Sequence, residues 1–214
     1  MPNIKTDAAK LYTIFDDASL ITVIGQSGSG KSQLIFSYLD YLTRRYSPEE
    51  FQIRAYDVVM VDYWSEEPVM PWADVVHYPE AGKGETLLAD IQRVTDRISG
   101  AGDTDQRVLI HINECDLFVN DIREEAIELC TLIAKHGKDI NMQLIYETSR
   151  PAGPAMPRIL VNMSNVKVMC PVANDMDAEY FLGEVSVLPK EQGEMLVKTA
   201  DSNDLIGFTL HLPR

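Results

Sequence analysis

One stretch of eight residues restricts the possible folds of this chain more than any other. Residues 25–32 match the pattern G-x-x-x-x-G-K-[ST] at every fixed position. The residues before them, 20–24, are apolar and rich in β-branched side chains, which is typical of a strand. The residues after them, 33–45, carry apolar side chains at helical spacing. Because the pattern has meaning only between a strand and a helix, this context predicts a phosphate-binding loop.

The residue types of the loop indicate how it would hold a nucleotide. Glycines allow backbone N–H groups to turn towards phosphate oxygens, and the N-terminus of the following helix adds positive potential. Lys31 can reach the β- and γ-phosphates, and the Ser32 hydroxyl is a ligand for Mg²⁺. The predicted cofactors are therefore ATP and Mg²⁺. All residues of the loop are predicted to bind ATP: Gly25, Gln26, Ser27, Gly28, Ser29, Gly30, Lys31 and Ser32.

Apolar runs and helical patterns alternate along the 214 residues. Strands are predicted at 20–24, 55–63, 75–78, 107–113, 141–148 and 166–170, and helices at 3–15, 33–45, 86–98, 122–136 and 175–182. Residues 193–198 and 205–210 are predicted to form a terminal antiparallel pair. The alternation predicts a three-layer α/β fold with a mainly parallel sheet. With the glycine loop in place, this arrangement resembles the RecA-like P-loop NTPase type. We expect residues 1–19 to be an N-terminal helix and lead-in, and 20–214 to form one ATPase domain.

The charge balance weighs against one class of partner. The chain carries 33 acidic and 19 basic residues, which gives a net charge of −14. Stand-alone nucleic-acid binders obtain most of their affinity from cationic side chains that meet phosphates. We therefore do not expect DNA as a partner, although contact through a local loop stays open. The one dense basic cluster, Arg44 and Arg45, ends the first long helix, where cations complement the helix dipole.

Neither a membrane span nor a signal peptide is expected. No segment approaches the run of about 18 or more apolar residues that indicates a span, and residues 1–10 are polar and mixed in charge. The three cysteines, at positions 115, 130 and 170, show no metal-ligand spacing. Their pattern favours buried thiols in a reducing compartment.

The second half of the nucleotide site is expected where the strand at 107–113 ends, because parallel sheets place ligand groups at the carboxyl ends of strands. Glu114 fits the role of the base that orients the attacking water. Asn113 stands where an Mg²⁺-binding aspartate is expected, and an amide carries no charge for the cation. Ser32 and Asn113 are the predicted metal residues, and we expect weaker Mg²⁺ binding or slow hydrolysis. Asp116 is interpreted as a helix-cap carboxylate, with compensation for Asn113 as the alternative.

Polar residues also end the strand at 141–148. In this fold that strand commonly lies between the loop strand and the acidic strand, so the hydroxyls of Thr148 and Ser149 are candidates for sensing the γ-phosphate through water. Arg150 is open to two interpretations, a phosphate contact in cis or at a neighbouring subunit, and a structural salt bridge. The candidate catalytic residues are therefore Lys31, Glu114, Thr148 and Arg150.

Together these segments resemble the FtsK/SpoIIIE branch of P-loop motor ATPases. The strand near position 148 is similar to the strand of that branch that ends in Ala-Thr-Gln-Arg-Pro, with Ser149 in place of the glutamine. The glycine loop is specific by itself, and the later segments indicate the branch. The resemblance extends from residue 20 over nearly the whole chain. The segments that carry it are 24–32, 59–62, 108–116, 144–151, 166–172 and 177–183.

Two functions compete within this branch. One is the ATPase of type VII secretion (the EssC/EccC type), and the other is a DNA translocase. The acidic charge and the Asn113 departure favour secretion. That resemblance implies an ATP-binding domain with low turnover that acts in substrate recognition and export. The implied partners are tandem ATPase domains of the same parent chain, secreted helical-hairpin proteins and, in the full-length protein, other subunits of a hexamer. The implied location is the cytoplasmic part of a membrane-anchored protein.

Overall fold

A mixed sheet that contains the strand before the glycine loop organises the chain. The computed structural model describes residues 4–5, 8–57, 73–77, 83–113, 123–149, 156–183, 185–202 and 204–210. Within these ranges the strands are β1 Ile4–Lys5, β2 Leu20–Ile24, β3 Phe51–Asp57, β4 Ala73–His77, β5 Arg107–Ile112, β6 Met142–Thr148, β7 Val166–Met169, β8 Glu194–Thr199 and β9 Leu205–Thr209. The helices of the same ranges are α1 Ala8–Asp16, α2 Lys31–Thr43, α3 Lys83–Ile98, α4 Arg123–His136, α5 Arg158–Met163 and α6 Asp175–Leu182.

The strands follow the order β1-β9-β8-β7-β2-β6-β5-β3-β4 across the sheet. All neighbours from β7 to β4 are parallel. Strand β8 is antiparallel to both β7 and β9, so the predicted terminal antiparallel pair is confirmed. Strand β6 lies between β2 and β5, which is the placement that the γ-phosphate hypothesis for Thr148 and Ser149 requires.

Side chains alternate along the buried strands and thereby divide the core into two halves. On one face of the sheet, Ile21 and Val23 pack with residues of α1 and α2. On the other face, Leu20 and Ile24 pack with residues of α3, α4, α5 and α6. Because helices cover both faces, β2 is buried at all five positions, as expected for a central parallel strand. The predicted three-layer α/β fold with a mainly parallel sheet is confirmed.

Helix α1 is fixed against α2 and the sheet by rings and charges. The ring of Phe15 meets that of Tyr38 edge to face, with centroids 5.1 Å apart. The Tyr38 hydroxyl donates a hydrogen bond to Asp16 Oδ1 at 2.9 Å, and Arg107 of β5 pairs with the same carboxylate at 3.4 Å. The segment before β2 therefore packs into the same core as the helix that follows the glycine loop.

The structure corrects three details of the sequence prediction. The helix predicted over 3–15 begins only at Ala8, because β1 pairs through its backbone with β9. The strand predicted over 55–63 begins at Phe51, where pairing with β5 starts, and its residues 58–63 lie outside the described ranges. Helix α5 has no counterpart in the prediction, since its six residues are too few for a clear helical period. Within the described ranges, no helix combines the length and apolar composition that a membrane crossing needs.

Candidate functional site

The glycine loop leaves the carboxyl end of β2, in the parallel part of the sheet. Parallel sheets bind ligands at this edge. The Gln26 N–H donates to Pro171 O at 2.8 Å, and the Ser29 N–H donates to Gln26 O at 3.1 Å. Gly30 then caps α2 with a φ of 95°, in the left-handed region that favours glycine. The residues between β2 and α2 therefore form a tight turn, and the N-terminus of α2 faces the loop, as the motif predicts.

Gly25 has no room for a side chain. A Cβ at this position would lie 2.5 Å from Ser29 Oγ, 2.8 Å from Cys170 Cβ and 3.1 Å from Pro171 O. Distances under about 3 Å between such atoms force the neighbouring groups to move. The close approach of the loop to the residues after β7 therefore depends on glycine at position 25.

We expect Gly25→Ala to weaken ATP binding by more than about tenfold and to lower the free energy of unfolding by about 1–3 kcal/mol, the usual range for overpacking. Fluorescence titration and urea unfolding measure the two effects. The control is Gly100→Ala, because a Cβ there meets no atom within 4 Å, although the φ of Gly100 is positive at 77°. Gly100→Ala should cost stability but leave ATP binding unchanged. Wild-type affinity in Gly25→Ala would contradict the described loop geometry.

Two polar side chains of the loop are buried in a way that suits an anion. Lys31 is only 5% exposed, and its Nζ lies 3.2 Å from Gln26 O, so the side chain folds back over the loop. A buried ammonium group is costly unless it is paired, and a phosphate would pair it. Ser29 Oγ is also buried and makes no hydrogen bond within the described residues. Together these groups fit the phosphates of ATP.

A chain of polar side chains leads from the loop into the buried part of the sheet. Ser32 Oγ donates to Glu147 Oε1 of β6 at 2.8 Å, and Glu147 Oε2 lies 3.2 Å from His111 Nε2 of β5. Glu147 and His111 are both 0% exposed. Neither residue is among the site candidates that the sequence predicts. The available signal was an acidic or imidazole side chain inside a strand predicted to be buried, where charged residues are rarely found without a partner.

The other predicted site residues are placed only in part. Asn113 follows β5 directly, is 2% exposed, and its N–H donates to Tyr56 O at 2.9 Å. Thr148 is fully buried and pairs in register with Ile24, so strand alternation puts its side chain on the face opposite to that of Glu147. Ser149 follows it at the end of β6 and is partly exposed. The predicted residues Glu114, Asp116 and Arg150 lie outside the described ranges.

The donor set near Ser32 fits Mg²⁺ better than a transition metal. Hydroxyl, amide and carboxyl oxygens are the ligands of hard cations, and Mg²⁺ is usually held by a few such groups together with substrate phosphates. In the described part of the chain, no group of three or more His, Cys, Asp and Glu side chains is arranged to hold a metal by itself. A magnesium site here would therefore depend on the nucleotide.

The two described thiols are buried, as expected, whereas Cys115 lies outside the described ranges. Cys130 and Cys170 are free cysteines in the core, and Cys170 lies directly under Gly25. Burial raises the pKa of each thiol to about 12. Both groups are therefore neutral thiols near pH 7, which makes them poor nucleophiles and poor metal ligands.

Comparison with known proteins finds similarity in structure and not in sequence. No protein-family profile matches the sequence, and no curated protein is similar to it. The structure of Thermomonospora curvata EccC (ATPases 2 and 3), in complex with a signal sequence peptide, matches 94% of this chain with a TM-score of 0.68 and 16% identity. EssC (ATPases 2 and 3) from Geobacillus thermodenitrificans matches 87% of it with a TM-score of 0.65 and 14% identity. The genome packaging NTPase B204 of Sulfolobus turreted icosahedral virus 2, in complex with AMPPCP, matches 88% with a TM-score of 0.62 and 13% identity.

The three matches cover different shares of the other protein's chain. This chain spans 38% of the EccC chain and 38% of the EssC chain, but 95% of B204. At such low identities the matches establish the fold, which this chain shares with ATPase domains of type VII secretion and with a viral packaging NTPase.

Proposed function

We propose that this chain is an ATP-binding domain of a type VII secretion ATPase, with slow hydrolysis and a role in substrate recognition and export. The observation that supports nucleotide binding is the intact loop. It contains the buried Lys31 and the buried Ser29 hydroxyl, and it has room only for glycine at position 25. The shared fold with EccC and EssC supports the secretion part.

Binding of ATP would use the loop from Gly25 to Ser32 in two ways. Backbone N–H groups at the start of α2 would meet the phosphate oxygens, favoured by the positive end of the helix. The Lys31 ammonium would move from Gln26 O to the β- and γ-phosphates, a short shift for a flexible side chain. Ser32 and Asn113 would hold Mg²⁺, which neutralises charge on the β- and γ-phosphates when bound.

We expect slow hydrolysis because of the residues at the positions that bind the metal, orient the attacking water and contact the γ-phosphate. Asn113 offers an amide where an aspartate would place a charge directly beside the cation, so this position itself supplies no charge during hydrolysis. In this proposal Glu114 orients the attacking water, Thr148 senses the γ-phosphate, and Arg150 contacts a phosphate in cis or from a neighbouring subunit. We expect turnover well below the median of about 10 s⁻¹ for enzymes.

The proteins that share this fold support a proposal for the partners of the domain. EccC and EssC chains are longer than this one, which covers 38% of each, so we propose tandem ATPase domains in the same parent chain. EccC has been solved with a signal sequence peptide, and we propose secreted helical-hairpin proteins as the substrates recognised here. In the full-length protein we propose hexameric assembly and a cytoplasmic position next to a membrane anchor.

A DNA-translocating ATPase is the second candidate. The similarity to the genome packaging NTPase B204, of which this chain spans 95%, supports it. The net charge of −14 opposes it, because a translocase must hold a polyanion close to its surface. The two candidates share the nucleotide site and differ in the polymer that would stimulate it.

Turnover of ATP with and without linear duplex DNA separates the two candidates. We expect slow hydrolysis that depends on Mg²⁺ and that added DNA leaves unchanged. The control is Lys31→Ala, which should remove the hydrolysis and so exclude a contaminating ATPase. Stimulation of turnover by DNA, lost in Lys31→Ala, would overturn the secretion assignment in favour of the translocase.

A further inference from the structure

Glu147 lies at an unusual place for a carboxylate. It is the last but one residue of β6, opposite Val23 of the loop strand, and it is 0% exposed. One carboxyl oxygen accepts the hydrogen bond of Ser32 Oγ, and the other lies against the His111 imidazole. A buried carboxylate is costly to desolvate unless hydrogen bonds and charges compensate it. Its contact with the one hydroxyl predicted to bind Mg²⁺ suggests a role in that site.

On the neighbouring strand, β5, the carboxylate that is expected at the magnesium site is absent. Asn113 follows the last residue of β5 in the position where an aspartate is expected. Ile112 pairs in register with Tyr146, so Asn113 and Glu147 follow at adjacent positions of neighbouring strands. Neighbouring strands lie only about 5 Å apart. The carboxyl group that Asn113 lacks is therefore present on the adjacent strand.

We propose that Glu147 supplies the carboxylate of the magnesium site, in place of the aspartate that Asn113 replaces. This inference rests on the proposed nucleotide binding at the loop. Glu147 acts through its contact with Ser32, and His111 is a positioning residue that holds the second carboxyl oxygen. Removal of a carboxylate that is hydrogen-bonded to a metal-ligating residue commonly lowers the metal affinity by about 10- to 100-fold.

A purely structural role for Glu147 makes a different prediction. In that case the side chain would only connect β6 to α2 through the hydrogen bond with Ser32. An uncharged side chain of the same shape would then hold the two elements together equally well. Glutamine keeps the length of the side chain and an oxygen that accepts a hydrogen bond from Ser32. Glu147→Gln therefore removes the charge and preserves the connection between β6 and α2.

The test measures the affinity for ATPγS with Mg²⁺ and again with EDTA, and takes the ratio of the two. In Glu147→Gln we expect this ratio to fall by about tenfold or more, while the affinity in EDTA stays unchanged. Mn²⁺ in place of Mg²⁺ gives a second readout, since its electron paramagnetic resonance signal counts bound metal directly. The matched control is Glu128→Gln on the exposed side of α4, which should leave the ratio at the wild-type value.

Asn113→Asp provides the decisive comparison and leaves the bonds of Glu147 in place. In the Glu147→Gln background it should restore the ratio, whereas in the wild type it should change the ratio far less. An unchanged ratio in folded Glu147→Gln, or a large gain from Asn113→Asp alone, would overturn the role of Glu147. The second criterion still applies if Glu147→Gln does not fold. Failure of wild-type protein to bind ATPγS under either condition would instead refute the proposed function.

Discussion

Replacement of Lys31 by alanine is expected to weaken ATP binding by about 10- to 100-fold. The side chain is 5% exposed and folds over the loop, where its Nζ lies 3.2 Å from Gln26 O. A hydrogen bond to a charged group contributes about 1.5–3 kcal/mol, and each 1.4 kcal/mol corresponds to a tenfold change in affinity. Calorimetric titration of ATP into the two proteins measures the loss directly.

Lys138→Ala is the control for this prediction. Lys138 is exposed in the turn after α4 and carries the same charge, so its loss changes the net charge equally. We expect its affinity for ATP to equal that of the wild type. Circular dichroism should show that both variants fold. If Lys31→Ala bound ATP as tightly as Lys138→Ala does, the buried lysine would have no part in phosphate binding.

Replacement of Asp90 by alanine is expected to lower the free energy of unfolding by about 3–5 kcal/mol, the cost of breaking a buried ion pair. Asp90 is 0% exposed on α3, and its carboxylate pairs with Arg54 Nε of β3 at 2.8 Å. The Asp90 carboxylate also accepts a hydrogen bond from the Tyr56 hydroxyl and lies 3.1 Å from Arg93 Nη1. Burial, together with the charge of Asp90, raises the pKa of Tyr56 far above its ordinary value, so this hydroxyl remains a donor.

Thermal unfolding measures the effect of Asp90→Ala, with an expected fall in Tm of about 6–20 °C for a chain of this size. Asp96→Ala on the same helix is the matched control, because Asp96 contacts Gln92 in an exposed pair. That change should alter stability by less than about 0.5 kcal/mol. ATP affinity below the melting temperature should be unchanged in both variants, since β3 is three strands away from the loop strand. A loss under about 1 kcal/mol for Asp90→Ala would contradict the buried network.

The sequence predicts the features of this protein that depend on neighbouring residues. The loop lies between β2 and α2 as expected, because the motif and both flanks are contiguous in the chain. The strand and helix alternation predicts the layers, and the two apolar runs at 193–198 and 205–210 predict the antiparallel pair of β8 and β9. In each case local pattern and final structure agree.

The features that sequence reasoning misses depend on distant contacts. Ser32 and Glu147 are 115 residues apart, and no local pattern indicates that one will bond to the other. Glu147 occupies a buried strand with no local motif around it, so its role emerges only when β6 is placed beside β2. Likewise, Ile4 pairs with Gly207 at the far end of the chain, and this pairing excludes it from the predicted helix. Tertiary contacts decide these positions against local propensity.

Titration of ATPγS into the wild-type protein in the presence of Mg²⁺ tests the central claim most directly. The geometry of Gly25, Lys31 and Ser32 predicts saturable binding at one site per chain at millimolar nucleotide or below. The same titration of Lys31→Ala should show the loss described above. Absence of saturable binding by the folded wild-type chain at millimolar ATPγS would contradict the assignment of the loop as a nucleotide site.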